Sequence, residues 1–255
     1  MKIRNVVYKT RNIVVVLKRK VQNTTNCVII GSGYSLSVNE KGQVIYKDPL
    51  FFAPSGKGYG NCDVFSMFFT LNCLGLQEAG KDLADFINNK LYHYSGVILH
   101  GHSKCGACFL NLAQWLNRKV SIISISAPIN ISGAPITSPE FNQGLNIVEA
   151  KLFNYIYSNH KVDKDISPNS NFLKNINLVA FREHRYKIIV STRCRNITFN
   201  PVSVFLKWFD KMHGINGDGI IPLRSQVPTF CSFDLISATH AESMHKSIKF
   251  VKPFL

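Results

Sequence analysis

The stretch Gly96-Val97-Ile98-Leu99-His100-Gly101-His102-Ser103-Lys104-Cys105-Gly106-Ala107-Cys108-Phe109-Leu110 decides how this chain folds. Val97-Ile98-Leu99 is a wholly apolar strand signal, and from Ala107 to Leu116 helical periodicity takes over. One serine stands at the turn between them. Its neighbours Gly101, Cys105 and Gly106 are as small as side chains conveniently come, which is what a sharp strand-to-helix turn requires.

Outward from that turn the same alternation continues. Leu76, Ala79, Leu83, Phe86, Ile87 and Leu91 recur at helical spacing, with Glu78, Lys81 and Asp82 off the stripe, so an amphipathic helix precedes the strand. Val120 to Ile125 supplies the next strand. Helix, strand, helix, strand calls for βαβ crossovers, and therefore an α/β fold with a mostly parallel central sheet and helices on both faces. Residues 3–17 and 27–31, with Val44-Ile45-Tyr46, read as an antiparallel start. Between Pro128 and about Leu178 the pattern degrades, with helices near 148–157 and 171–176. An inserted cap or lid over residues 128–180 above the carboxyl edge of the sheet accounts for it. The sheet returns at Tyr186 to Val190 and Ser232 to Ile236, with a helix at 202–211 between them. No internal repeat divides the chain, which is expected to be one domain over 1–255.

Composition sets the bounds. Of the 255 residues, 45% are apolar and 18% charged, as in ordinary globular proteins. A formal charge of +15 attracts nucleic acid, anionic lipid or acidic proteins. The basic residues are scattered and lack aromatic interleaving, however, which argues against specific nucleic-acid binding. Gly56-Lys57-Gly58-Tyr59-Gly60 lacks the phosphate-loop spacing. Seven cysteines include a single Cys105-x-x-Cys108, with no second pair to complete a zinc site, and they read as reduced, partly buried thiols. Neither metal nor cofactor is expected. Ile13 to Leu17 is too short for a signal-peptide core or a membrane span. No acidic residue precedes Glu40, a feature of organelle presequences, but the β-branched content reads as strand. The expectation is a mature, cytoplasmic chain.

In a parallel sheet, sites assemble at the carboxyl ends of strands. Ser103 lies there in a G-x-S-x-G-like turn, the nucleophile elbow, whose strained backbone lifts the serine oxygen above the sheet at the start of a helix. Cys105 stands where the motif has its second glycine, with Gly106 next. A serine hydroxyl needs a base to take its proton and a carboxylate to orient the base. Asp218, flanked by Gly217 and Gly219, is the candidate carboxylate. His240, in a loop at the end of the last strand, is the candidate base, and His245 on the final helix is its rival. His100 and His102 are taken as packing or framing residues, with His102 pointing away from the serine.

Three segments carry a resemblance. His100 to Gly106 is similar to G-H-S-x-G-G, Gly217-Asp218-Gly219-Ile220-Ile221-Pro222 looks like D-G-[IV]-[IV]-P, and Lys164 to Leu173 is similar to D-L-x-P-x-S-x-F-L. In this order they resemble the α/β-hydrolase superfamily, and within it the lipases and esterases. The resemblance implies a serine hydrolase of carboxylic esters, a member of lipid metabolism, with a Ser103-His240-Asp218 triad and an acyl-enzyme intermediate. The oxyanion would be held by the amide of Lys104 and a second amide from an earlier loop. Ser32, after the Ile29-Ile30-Gly31 strand end, is the candidate, and the loop Gly58 to Asn61 is the alternative. The family's usual His-Gly pair is missing there.

The expected substrate is an ester or lipid, and the basic charge fits an anionic membrane surface. Phe141, Leu145, Ile147, Phe153, Ile156 and Phe172 in the insert read either as an acyl pocket or as a small core of their own. Two alternatives stay open: a thioesterase or acyltransferase using the same triad, and a noncatalytic basic binding module of the same fold. The natural ester and the oligomeric state are not legible.

Overall fold

Along the strand that leads to Ser103, successive side chains fall into two separate cores: Val97 and Leu99 in one, Ile98 in the other. That alternation is the signature of a sheet covered on both faces. The computed structural model of the chain describes residues 5–31, 36–38, 44–47, 57–70, 72–134, 161–176, 180–192, 217–218, 221–229 and 231–255. Its strands are β1 (Val6–Lys9), β2 (Ile13–Arg19), β3 (Asn26–Gly31), β4 (Leu36–Val38), β5 (Val44–Lys47), β6 (Asp63–Phe69), β7 (Gly96–His102), β8 (Ser121–Ile125), β9 (Arg185–Ser191) and β10 (Asp234–Ile236). The helices are α1 (Leu76–Lys90), α2 (Lys104–Leu112), α3 (Lys161–Asp165), α4 (Asn171–Lys174), α5 (Leu223–Gln226) and α6 (His240–Lys246).

The main sheet has eight strands in the order β1-β2-β6-β3-β7-β8-β9-β10. From β6 to β10 every neighbour pairs in parallel, whereas β1 and β2 run antiparallel at one edge. The mostly parallel α/β sheet read from the sequence is therefore present. The antiparallel start covers only β1 and β2, because β3 is an interior parallel strand between β6 and β7. The run from 3 to 17 is two strands, broken where the Thr10 side chain accepts hydrogen bonds from the amides of Asn12 and Ile13. Val44 to Lys47 lies outside the main sheet, pairing with β4 in a separate ribbon.

β6 has no counterpart among the strands expected from the sequence. All seven of its residues are buried, so it carries no alternation. The run Val64-Phe65-Ser66-Met67-Phe68-Phe69 shows only continuous apolarity, which periodicity alone does not assign to a strand.

On one face α1 and α2 bury Leu76, Leu83, Phe86, Ile87, Phe109 and Leu110 against Ile29, Met67, Leu99 and Ile122. Each such fully buried side chain contributes about 1.5–3 kcal/mol. On the other face α6 and the carboxyl-terminal turns bring Met244 and Val251 onto Val28, Ile30, Ile98 and Ile123. The expected helices at 148–157 and 202–211 lie outside the described residues, as do Phe141, Leu145, Ile147, Phe153 and Ile156 of the insert. Phe172 is described, and it belongs to the core under α1 and α2.

The chain on either side of residues 135–160 is tied together. The amide of Ala134 donates to the Ile166 carbonyl at 2.7 Å and that of Asn169 to the Ile131 carbonyl at 2.8 Å. Gly133, at φ 53°, passes so close to Ile166–Pro168 that a Cβ would meet their backbone at 2.6 Å. Asp165 then accepts from the Leu76 amide at the start of α1 at 2.6 Å, and Ser170 caps α4 by accepting from the Leu173 amide. Asp165, Ser170, Phe172 and Leu173 of the third segment thus each have a packing or capping task.

Candidate active site

β7 ends at His102 and α2 begins at Lys104, so Ser103 alone makes the turn. The helix starts three residues earlier than its apolar periodicity suggests. Ser103 holds φ 55° and ψ −133°, a combination that costs a non-glycine residue of order 1–3 kcal/mol unless the surroundings enforce it. They do so here. Its amide donates to the Ile125 carbonyl of β8 at 2.9 Å, and its carbonyl accepts from the amides of Gly106 and Ala107. Ser103 is fully buried, and its Oγ makes no hydrogen bond among the described residues.

The small neighbours are required by contact. A Cβ on Gly101 would sit 2.6 Å from the Phe109 ring and 2.9 Å from the Cys105 carbonyl, and one on Gly106 would sit 2.7 Å from Ser124 Oγ. Cys105, the departure from the motif, is accommodated from β3. It packs against Gly31, where a Cβ would come within 2.8 Å of the cysteine's own. Gly31 pairs in register with Gly101, so β3 delivers the chain to the level of the elbow. Ser32, the next residue, lies outside the described residues. The alternative loop, 58–61, enters β6 at its amino end, because β6 runs parallel to β7 through β3. It is on the opposite edge of the sheet from Ser103, which removes it as a donor.

Asp218 and His240 meet. Asp218 Oδ2 is 2.7 Å from His240 Nδ1, and both side chains are fully buried. Oδ1 accepts from the Ile221 amide at 2.8 Å, and the Asp218 carbonyl accepts from the His240 amide at 3.0 Å. Gly217 is needed for this loop, since a Cβ there would collide with the Ile221 carbonyl. His245 is exposed on α6.

One expectation about His240 is corrected: it does not lie in a loop but opens α6. Thr239 is the N-cap, and it forms a reciprocal capping box with Glu242. The T-x-x-E signal was present in Thr239-His240-Ala241-Glu242. A fixed helix start holds the imidazole more rigidly than a free loop could.

The histidines of β7 do more than fill space. His100 and His102 project to the α6 side. The Ser247 hydroxyl donates to the Met244 carbonyl, so it accepts from His100 Nε2 at 3.0 Å, and Tyr59 OH donates to Nδ1 at 2.7 Å. Complete burial holds His100 neutral, with its pKa pushed down to about 3. The His102 ring lies against the His240 ring, centroids 4.3 Å apart and 49° between planes. Burial first, and His240 second, hold His102 well below the ordinary imidazole range, while a hydrogen bond between its ring and the His240 main chain opposes this.

Lys104, whose amide opens α2, sends its side chain to Asp163 of α3 at 2.7 Å, the two side chains being 4% and 11% exposed. The ion pair joins residues 59 apart in sequence, and nothing in either local pattern announces it. Burial raises the thiols of Cys73 and Cys105 to about 12. Among the described residues no group of three or more histidine, cysteine or acidic side chains could hold a metal ion, and no helix is long and apolar enough to cross a membrane.

At the level of sequence, no family model and no curated protein matches the chain. Solved structures do match it. The lipase BlEst2 of Bacillus licheniformis, in its mature form, superposes with a TM-score of 0.66 at 13% identity, covering 96% of this chain and 98% of that one. Its propeptide form gives 0.62 at 14% identity over 96% of this chain and 54% of that one. The metagenomic carboxyl esterase MGS0156 gives 0.56 at 12% identity over 86% and 66%. At such identities the likeness speaks for architecture, and it agrees with the eight-stranded, mostly parallel sheet: this chain has the α/β-hydrolase fold.

Proposed function

We propose that the protein is a serine hydrolase that cleaves carboxylic esters, of lipase or esterase type. The observation that carries this reading is the buried 2.7 Å contact between Asp218 and His240, taken together with the strained, fully buried elbow in which Ser103 stands. Two of the structures similar to it in fold, a lipase and a carboxyl esterase by name, support the same class.

In this reading His240 Nδ1–H donates to Asp218, which fixes the tautomer with the lone pair on Nε2. Nε2 takes the proton of Ser103 Oγ as that oxygen bonds to the ester carbonyl carbon. The resulting oxyanion lies at the start of α2, where the Lys104 amide and an amide near residue 32 donate to it. Such donors contribute about 3–4 kcal/mol each to the barrier reduction. Collapse breaks the bond to the leaving oxygen, which receives the proton from His240. Water, deprotonated by the same nitrogen, then attacks the acyl-enzyme and releases the acid and free Ser103. The excess of basic residues favours esters presented at anionic interfaces.

A fluorophosphonate probe and p-nitrophenyl esters of graded acyl length test the reading. The protein is expected to be labelled and to turn over esters, and Ser103→Ala to lose both while keeping its fold. His240→Ala and Asp218→Asn should each lower turnover by orders of magnitude, the latter least. A folded wild-type protein that resists the probe and every ester returns the fold to a binding role.

A further inference from the structure

Asp218 holds the His240 imidazole by one ring atom, and a ring held at one atom can still pivot. A second contact to the His240 ring comes from β7, the strand that leads into Ser103. The His102 ring lies on that of His240 at 4.3 Å and is hydrogen-bonded to the His240 main chain. Two residues back on the same face of β7, His100 reaches Ser247 at the other end of α6 at 3.0 Å. β7 therefore grips α6 at both ends, His102 at its first residue and His100 just past its last.

We propose that His102 is a positioning residue for the base: its ring, packed on His240 and bonded to the His240 main chain, sets where that imidazole stands relative to Ser103. The inference rests on the triad reading above. Because His102 is bonded directly to Ser103, nucleophile and base are registered over a single peptide. The long loops that join β7 to α6 do not enter. The chemistry of the neighbour matters as well. His240 becomes an imidazolium each time it accepts the serine proton, and a charged ring 4.3 Å away would oppose this. A neutral one offers its π face to the cation. Burial keeps His102 neutral, and the titratable groups that face it are His240 and His100, with Asp218 beyond His240.

The test uses two variants of the full chain, with kcat counted per fluorophosphonate-labelled site. His102→Leu fills much of the space without a ring or a hydrogen bond. It is expected to lose about 10- to 100-fold in kcat with KM within about twofold, as a misplaced base does. His102→Phe keeps a ring and loses only the hydrogen bond, and should lose less, about 3- to 10-fold. In both, the acid limb of the pH profile for kcat/KM should move, and the low-field proton resonance of the His240–Asp218 hydrogen bond should shift or broaden. A purely space-filling His102 would leave these two unmoved. Wild-type kcat and an unmoved acid limb in either folded variant would overturn the proposal. Ser103→Ala and His240→Ala are measured alongside. Full turnover in either sinks the triad itself, whereas inactive triad variants with a wild-type His102→Leu sink only the role of His102.

Discussion

Acid should destabilise this protein through His100, and the size of the effect can be worked out. The ring is fully buried between Tyr59 and Ser247, and its pKa falls from 6.5 to about 3. In the unfolded chain the same imidazole titrates near 6.5, so between these values the unfolded state binds a proton that the folded state refuses. Stability is thus complete above pH 6.5 and drains away as the pH falls towards 3. Relative to pH 7.5, the loss from this one residue is ~2 kcal/mol at pH 5 and ~3 kcal/mol at pH 4. His100→Leu isolates it. At pH 7.5 the variant should be less stable by about 2–4 kcal/mol, since Tyr59 loses its partner in the core. At pH 5 that gap should narrow by ~2 kcal/mol, because only the wild type has the proton to refuse. Urea denaturation followed by tryptophan fluorescence at the two pH values gives both gaps, and His102 contributes equally to each protein and cancels. A gap that stays constant from pH 7.5 to 5 would refute the claim that His100 is held neutral by burial.

Asp163→Asn should cost about 3 kcal/mol, because it removes the negative charge opposite the Lys104 ammonium in a site only 4% exposed; Lys104→Met combined with Asp163→Leu should recover most of it, as melting temperatures will show. Gly31→Ala should destabilise by about 1–3 kcal/mol through contact with Cys105 and Phe109. Adding Cys105→Gly should restore part of this, and a double mutant no better than Gly31→Ala would dismiss Gly31 as the accommodation for Cys105. Native-state alkylation followed by mass spectrometry should modify Cys231, which is half-buried, while Cys27, Cys62, Cys73, Cys105 and Cys108 stay unmodified until denaturant is added.

What could be read in the sequence was whatever leaves a local imprint. The strand before Ser103, the amphipathic α1 and the small residues of the elbow all show in short windows, because steric demands at a sharp turn and helical burial act within a few positions. β6 left no imprint, since burial on both faces erases alternation. The start of α6 at His240 was legible as a capping box but is outweighed in a reading guided by strand ends. The Lys104–Asp163 pair, and the resting place of His102 on His240, depend on residues tens of positions apart meeting over the sheet edge, and no window contains them. Gly31 falls between these cases: its glycine is plain to see, yet its reason is a cysteine on another element.

The two hydrogen bonds from Ala134 to Ile166 and from Asn169 to Ile131 make a closed clasp around residues 135–160. Ile131, Ala134, Ile166 and Asn169 are thereby held as neighbours, and closing a loop between neighbouring ends costs only slowly more as it lengthens. Ser103, Asp218 and His240 all lie outside it. Insertions and deletions between Ala134 and Lys161 should therefore be tolerated far better than substitutions within the clasp itself.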